Sequence, residues 1–263
     1  MKKRVLKGLV LTLVVILAAV LASCGSSQDH AEIPTVSEGK LTVATNSGYI
    51  PFVYYEGDAL VGIDPAIAAE IADRMGLEPV IEDIDFPEIF EGVRSGQYDI
   101  GLAAITITED RAEIIDFSTP YANGRQAVIV HATSPIRNIY DLIGGDYTVG
   151  VKTATTGDAF ITADIGEERV VRYMHIEDAI DALVQGEIDA VVYDGQAAGE
   201  FISRQEGLVS LQTPYAVEAY AAVVPQSNPA LLEQVNLILG EMTEDGTLQA
   251  IIDEYTARSA AAE

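Results

Sequence analysis

From Lys40 onward, short apolar runs alternate with helix-like stretches, and that order constrains the fold more than any other feature of the chain. Residues 41–45 read as a strand and residues 65–75 as a helix closed by Gly76. Residues 79–84 read as a strand, residues 87–95 as a helix closed by Gly96, and residues 98–107 as a further strand. A βαβα order implies a parallel sheet with helices on its faces. A second, similar set follows: strand 148–151, helix 156–163, strand 170–173, helix 176–185 and strand 190–193. Each half carries a Gly-x-x-Asp phrase just before a strand, Gly96-Gln97-Tyr98-Asp99 and Gly186-Glu187-Ile188-Asp189. We read two α/β lobes built alike, followed by a strand over residues 220–224 and helices over residues 229–241 and 246–255.

The N-terminus carries targeting information instead of fold. Met1-Lys2-Lys3-Arg4 and Lys7 form a basic start, and Leu9 to Ala22 is an apolar run of about 14 residues, short for a membrane span and suited to a signal peptide. Leu21-Ala22-Ser23-Cys24 then reads as a lipobox, which makes Cys24 a lipidation site and the membrane a partner through that anchor. A buried free thiol is the alternative, but Cys24 is the only cysteine and stands directly before the polar Gly25-Ser26-Ser27-Gln28. Residues 1–24 are therefore assigned to the signal peptide and residues 25–38 to a flexible tether. With one cysteine, no internal disulfide is possible. Four of the fifteen basic residues but none of the 41 acids lie in the signal, so the remainder carries a net charge of about −30. Such a surface repels nucleic acid and anionic lipid.

Against that acidic background three cationic or anionic positions stand out. Ile105 and Ile107 alternate with Thr106 and Thr108, and Glu109-Asp110-Arg111 follows as the first turn of a helix. A strand end with hydroxyls and an arginine suits a small carboxylate, because the guanidinium fork matches it bidentately. A surface arginine in an ordinary turn is the plainer reading. Lys152, one of two lysines beyond the signal, opens Lys152-Thr153-Ala154-Thr155-Thr156-Gly157 between a strand and a helix. That loop offers backbone N–H groups to an anion, or simply caps the helix. Asp194 ends a strand of the second set, where ligands of parallel sheets bind; as Asp-Gly it also fits an exposed turn.

Residues 104–122, ending Ile115-Asp116-Phe117-Ser118 and Pro120-Tyr121, closely resemble the signature of the polar amino-acid substrate-binding proteins of ABC importers, the bacterial extracellular solute-binding proteins of family 3. The phrases Thr45-Asn46-Ser47-Gly48-Tyr49, Val61-Gly62-Ile63-Asp64 and Glu244-Asp245-Gly246-Thr247 extend the resemblance from about Lys40 to Tyr255. It implies a periplasmic binding protein type II fold, two Rossmann-like α/β lobes joined by a two-crossover hinge. The implied lobes are residues 39–122 plus 219–258 and residues 123–218, with crossovers near residues 121–125 and 216–220. It also implies an extracytoplasmic, lipid-anchored monomer that closes on a free amino acid and delivers it to an ABC permease, without cofactor or metal.

By the same resemblance, Tyr49 and Phe86 form the walls of the pocket, two core aromatics otherwise. Arg111 and Thr106 take the ligand carboxylate with Thr153 and Thr156 of the second lobe, while Asp194 and the Ala104 carbonyl take the ammonium. Asn46 stands where family members carry an aspartate, and Lys152 matches a lysine of glutamine binders. That pair favours glutamine or another polar neutral or acidic side chain over a cationic one, unless Glu56, Asp58 or Asp85 reaches the rim. A binder of arginine, lysine or histidine is the nearest alternative. A dehydratase acting on prephenate-like acids shares the fold, but no residue declares itself as its general acid. An intact Asp194 would also repel such a dicarboxylate. A sensor or adhesin that kept the fold would call for an added signalling segment. His30, His131 and His175 are scattered, with no metal-ligand spacing.

Overall fold

A computed structural model of the chain describes residues 33–212 and 215–261, so the expected signal peptide, its lipidation site Cys24 and most of the tether lie outside the described residues. The first half runs β1 (Lys40–Thr45), β2 (Tyr54–Glu56), β3 (Ala59–Val61), α1 (Ile63–Met75), β4 (Glu78–Asp83), α2 (Phe86–Arg94), β5 (Ile100–Gly101), α3 (Glu109–Ala112) and β6 (Asp116–Phe117). The middle runs β7 (Ala122–His131), α4 (Ile139–Gly144), β8 (Val149–Lys152), α5 (Thr156–Ile165), β9 (Val170–Tyr173), α6 (Ile176–Gln185), β10 (Ala190–Asp194), α7 (Gly195–Arg204) and β11 (Leu208–Ser210). The chain closes with β12 (Ala216–Tyr220), β13 (Val223–Val224), α8 (Pro229–Glu244) and α9 (Thr247–Ala261).

Two sheets result. The first has the order β4-β1-β5-β13-β6, with β1 parallel to both β4 and β5. The second has the order β11-β7-β10-β8-β9, with β12 added beside β7. The parallel pairings of β8 with β9 and β10 match the βαβ reading. Helices cover both sheets through periodic apolar positions: α1 buries Ile63, Ile67, Ala68, Ile71 and Ala72. In the second sheet Val128, Val149, Val151 and Val192 pack under Leu142 and Ile161.

The repeated Gly-x-x-Asp phrase does the same work twice. Gly96 and Gly186 adopt left-handed φ values of 76° and 73° after their helices, a conformation glycine enters without a Cβ penalty. Asp99 then accepts hydrogen bonds from the Thr42 amide (2.8 Å) and hydroxyl (2.6 Å), and Asp189 from the Thr148 amide (2.8 Å). Each aspartate thus ties the start of one strand to the start of its neighbour.

The expected strand over residues 98–107 is confined to Ile100–Gly101. The chain turns at Ala104, a non-glycine residue with φ 46°. There it leaves the sheet, and Ile105 and Ile107 bond instead to Ala221 and Ala219, leaving a single bridge between Thr106 and Tyr220. The expected strand over residues 220–224 is likewise divided. Tyr220 ends β12 in the second sheet and Val223 starts β13 in the first, with Ala221 and Ala222 as the passage. The long β7 and the β2–β3 hairpin are not apparent in the sequence pattern.

The segments that pass between the sheets pair with each other. β7 and β12 run antiparallel from Ala122 opposite Tyr220 to Gln126 opposite Ala216. Gly124 lies under the Tyr220 ring, where an added Cβ would come within 1.7 Å of the hydroxyl oxygen. Tyr220 is buried and its hydroxyl is 2.9 Å from that of Tyr49, so it has little room to yield. Gly124→Ala is expected to destabilise the protein by about 1–3 kcal/mol, the usual cost of overpacking. Urea unfolding measures it, and an unchanged midpoint would show that Tyr220 moves freely.

Candidate functional site

One cavity draws residues from loops and helices of the first half of the chain and from strands and a loop of the second sheet. It is lined by Asn46, Tyr49, Phe86, Ala104, Thr106 and Arg111 from the first half, and by Lys152, Thr156 and Asp194 from the middle. Of the residues expected from the sequence, only Thr153 is missing from this lining. Ala154, with φ 62°, turns the β8–α5 loop so that the Thr153 amide and hydroxyl both donate to the Tyr173 carbonyl of β9, at 2.9 and 3.0 Å. Thr155 lines the cavity in its place. Ala103, Gln126, Tyr193, Glu218 and Tyr220 complete the wall.

Arg111 is placed by its short helix. The Thr108 hydroxyl accepts from the Arg111 amide (3.2 Å), the N-cap that the Thr-Glu-Asp-Arg run foreshadowed. Its guanidinium lies 5.6 Å from the centre of the Phe86 ring and 4.9 Å from that of Phe90, an arrangement in which a cation is held by ring faces. Nη1 donates to the Thr106 carbonyl (2.8 Å) and Nη2 to the Ala154 carbonyl of the β8–α5 loop (3.0 Å). Burial pulls the Arg111 pKa down to about 10, still cationic at neutral pH, while the Glu218 charge pushes it the other way. The expected Thr106 contribution therefore includes holding the guanidinium through its carbonyl.

Lys152 ends β8 and is buried, its ammonium donating to Asn46 Oδ1. Asn46 Nδ2 in turn donates to the Ile84 carbonyl (2.7 Å). Burial lowers the Lys152 pKa, opposed by the charges of Glu177, Asp83 and Asp85. Of the rim acids raised from the sequence, Asp85 thus acts here, joined by Asp83 and Glu177, which sequence reasoning did not name. Behind this loop Asp158, itself buried, binds Arg172 Nε through both oxygens at 2.9 Å. The Thr155 hydroxyl accepts from the Asp158 amide, so the loop caps α5 as well as lining the cavity.

Asp194 ends β10 and caps α7, accepting from the Gln196 amide at 3.1 Å. Burial raises its pKa to about 7, and the adjacent Tyr49 hydroxyl opposes that shift. Tyr49 stacks on Phe52 (4.9 Å between ring centres) and tilts against Tyr193 (5.8 Å). The left-handed turn at Ala104 has its own anchor. Asp64 Oδ2 accepts the Ala104 amide at 2.7 Å, and Asp64 is fully buried with its pKa raised by burial to about 7. The Asp of the Val-Gly-Ile-Asp phrase thus shapes the wall from behind, a role its place in the sequence did not reveal.

With this geometry in view, residues 41–258 match the family model of the bacterial extracellular solute-binding proteins, family 3. The chain belongs to that family. Among curated relatives, the arginine-binding extracellular protein ArtP of Bacillus subtilis is 28% identical over 254 residues, covering 93% of this chain and 96% of its own. A mutant of ArgBP from T. maritima superposes with a TM-score of 0.78 at 31% identity, over 83% of this chain and 96% of its own. An ancestral arginine-binding protein bound to glutamine superposes with a TM-score of 0.78 at 30% identity, over 83% and 98%. The fold is that of the periplasmic binding proteins of type II. Family 3 relatives such as these carry the names of binding proteins, and this chain is a binding protein, not an enzyme. Among the described residues no group of His, Cys, Asp and Glu is placed to hold a metal ion, and no helix is long and apolar enough to cross a membrane.

The titration of Asp194 has a direct consequence in this solute-binding protein. A carboxyl whose folded pKa is about 7 against 3.8 unfolded keeps its proton in the native state while the unfolded chain has released it. Its contribution to stability therefore falls as pH rises from about 4 to 7. Asp194→Asn is expected to remove about 2–3 kcal/mol of the stability difference between pH 5 and pH 7.5 in ligand-free protein. Urea titrations at the two pH values test this; an unchanged difference would mean that Asp194 is solvated.

Proposed function

We propose that the chain captures a free amino acid for an ABC importer, held outside the cytoplasm by lipid on Cys24 and closing about its hinge as a monomer. The observation that carries this reading is the charge pattern of the cavity: a half-buried guanidinium, Arg111 on helix α3, and a buried carboxylate, Asp194 at the end of β10, line one space. A zwitterion is costly to desolvate unless both of its charges are matched. Arg111 with Thr106 and the Thr155–Thr156 turn takes the α-carboxylate. Asp194 and the Ala104 carbonyl take the α-ammonium, and Tyr49 and Phe86 flank the stem. Taking the lobes as residues 39–122 plus 219–258 and residues 123–218, Arg111 and Asp194 belong to different ones. Ligand then favours the closed state by its differential affinity for it.

The side-chain end of the site supports glutamine or another polar amino acid. Lys152 and Asn46 together present an ammonium and an amide there, which suits a ligand amide or carboxylate. A second reading, a basic ligand, is favoured by Asp83, Asp85 and Glu177, whose charges act on Lys152, and by the arginine-binding names of the relatives.

A thermal-shift screen against the twenty amino acids tests the function. A true ligand at about a hundred times its Kd adds roughly 2.7 kcal/mol, and Arg111→Ala is expected to abolish that gain while leaving the ligand-free protein folded. Calorimetry with glutamine, glutamate, arginine and lysine then decides the side chain. Asn46→Asp is expected to move preference toward basic ligands by about 1–3 kcal/mol, the scale of a charged hydrogen bond. If arginine binds best to the wild type, the three acids outweigh Lys152. Cys24→Ser is expected to release the protein from membranes; continued membrane association would point to a different anchor.

A further inference from the structure

The cavity holds one acid that the amino-acid reading leaves without work. Glu218 lies on β12, in one of the two segments that pass between the sheets, and is only 4% exposed. Along β12 it shares the inward face with Tyr220, while Val217, the residue before it, is 82% exposed. Its Oε2 accepts from Gln126 Nε2 at 2.7 Å. Gln126 is itself wedged on β7: a Cβ on Gly157 would lie 2.6 Å from its Oε1. The pair therefore fixes the Glu218 carboxylate in place, and Oε1, fully buried, has no hydrogen-bond partner. Buried polar atoms without partners are rare in folded proteins, and one on a side chain that lines a ligand cavity is a candidate acceptor for a ligand donor.

We propose that Glu218 is a second carboxylate for the ligand's α-ammonium, acting beside Asp194. The inference rests on the amino-acid reading and deepens it. An ammonium brings three N–H donors; Asp194 and the Ala104 carbonyl assigned to it above account for two, and the unpaired Oε1 of Glu218, another residue of the cavity lining, is the third acceptor. The Glu218 charge acts on Arg111, whose guanidinium is engaged by the Thr106 and Ala154 carbonyls. With Glu218 included, two cationic side chains, Arg111 and Lys152, and two carboxyl side chains, Asp194 and Glu218, line the cavity. Two carboxylates on one ammonium make the site selective for a free amine over a hydroxyl at the α-carbon. A hydroxyl has a single proton to donate, and its oxygen would face one of the two anions.

Calorimetry tests this with L-glutamine and L-arginine, each beside its 2-hydroxy acid counterpart, on wild type, Glu218→Gln and Glu218→Asp. The expected result is that Glu218→Gln weakens the amino acid at least tenfold while the 2-hydroxy acid binds as well as before or better, so amine preference collapses. Glu218→Asp, which keeps the charge on a shorter stem, is expected to retain most of that preference, and it carries the test alone if Glu218→Gln does not fold. Equal losses for amine and hydroxy ligands would show a structural role and overturn the proposal, as would an unchanged preference in Glu218→Gln or its collapse in Glu218→Asp. A wild-type protein that responds to none of the twenty amino acids would instead overturn the amino-acid reading on which the proposal stands.

Discussion

Burying charge is the constraint to which the rest of this structure answers. Arg111, Lys152, Asp194 and Glu218 all line one cavity, and each is at least largely withdrawn from water. A charge in such a place must be paired or hydrogen-bonded, or it titrates to neutrality. The protein uses several of these routes. Carbonyls of Thr106 and Ala154 and two phenylalanine rings hold the guanidinium. Asn46 holds the ammonium of Lys152. Asp194 drifts toward protonation.

The backbone around the cavity is shaped by a second set of polar groups set behind it. Asp64 holds the left-handed turn at Ala104, so that the wall changes direction where the strand would otherwise continue. Asp158 and Arg172 hold the Thr155–Thr156 turn. Asp64 and Arg172 lie on elements other than the ones they position, while Asp158 sits in the first turn of the helix whose start it holds, which makes the cavity wall a product of packing between helices and strand ends. The same logic explains why Thr153 turns away: the left-handed residue after it sends its hydrogen bonds to β9.

The β7–β12 ladder gives the passage between the sheets a chemical face of its own. Two antiparallel segments present Gln126, Glu218 and Tyr220 to the cavity, and Tyr220 meets Tyr49 across it. A ligand touching this face would touch the place where the two halves of the chain are joined. Small residues make room for it, Gly124 under Tyr220 and Gly157 against Gln126.

Local patterns carried much of this protein in the sequence. The alternation of apolar runs and helical stretches determined two α/β units, because period and punctuation are local properties. The Thr-Glu-Asp-Arg turn and the Asp at the end of β10 marked two charges of the cavity, because strand ends and helix starts have local signatures. The scarcity of lysine drew attention to Lys152, and family resemblance added Asn46, Tyr49, Phe86 and Ala104; all of them line the cavity. Glu218 and Gln126 escaped notice because their meaning comes from a pairing 92 residues apart in the chain. In Ala-Val-Glu-Ala-Tyr the only hint was a glutamate in phase with the buried Tyr220. The role of Asp64, 40 residues from Ala104, was hidden in the same way. The sequence by itself determined the elements and their order. Tertiary structure alone decided which buried polar groups meet, because a hydrogen bond between distant segments leaves no periodic trace in either.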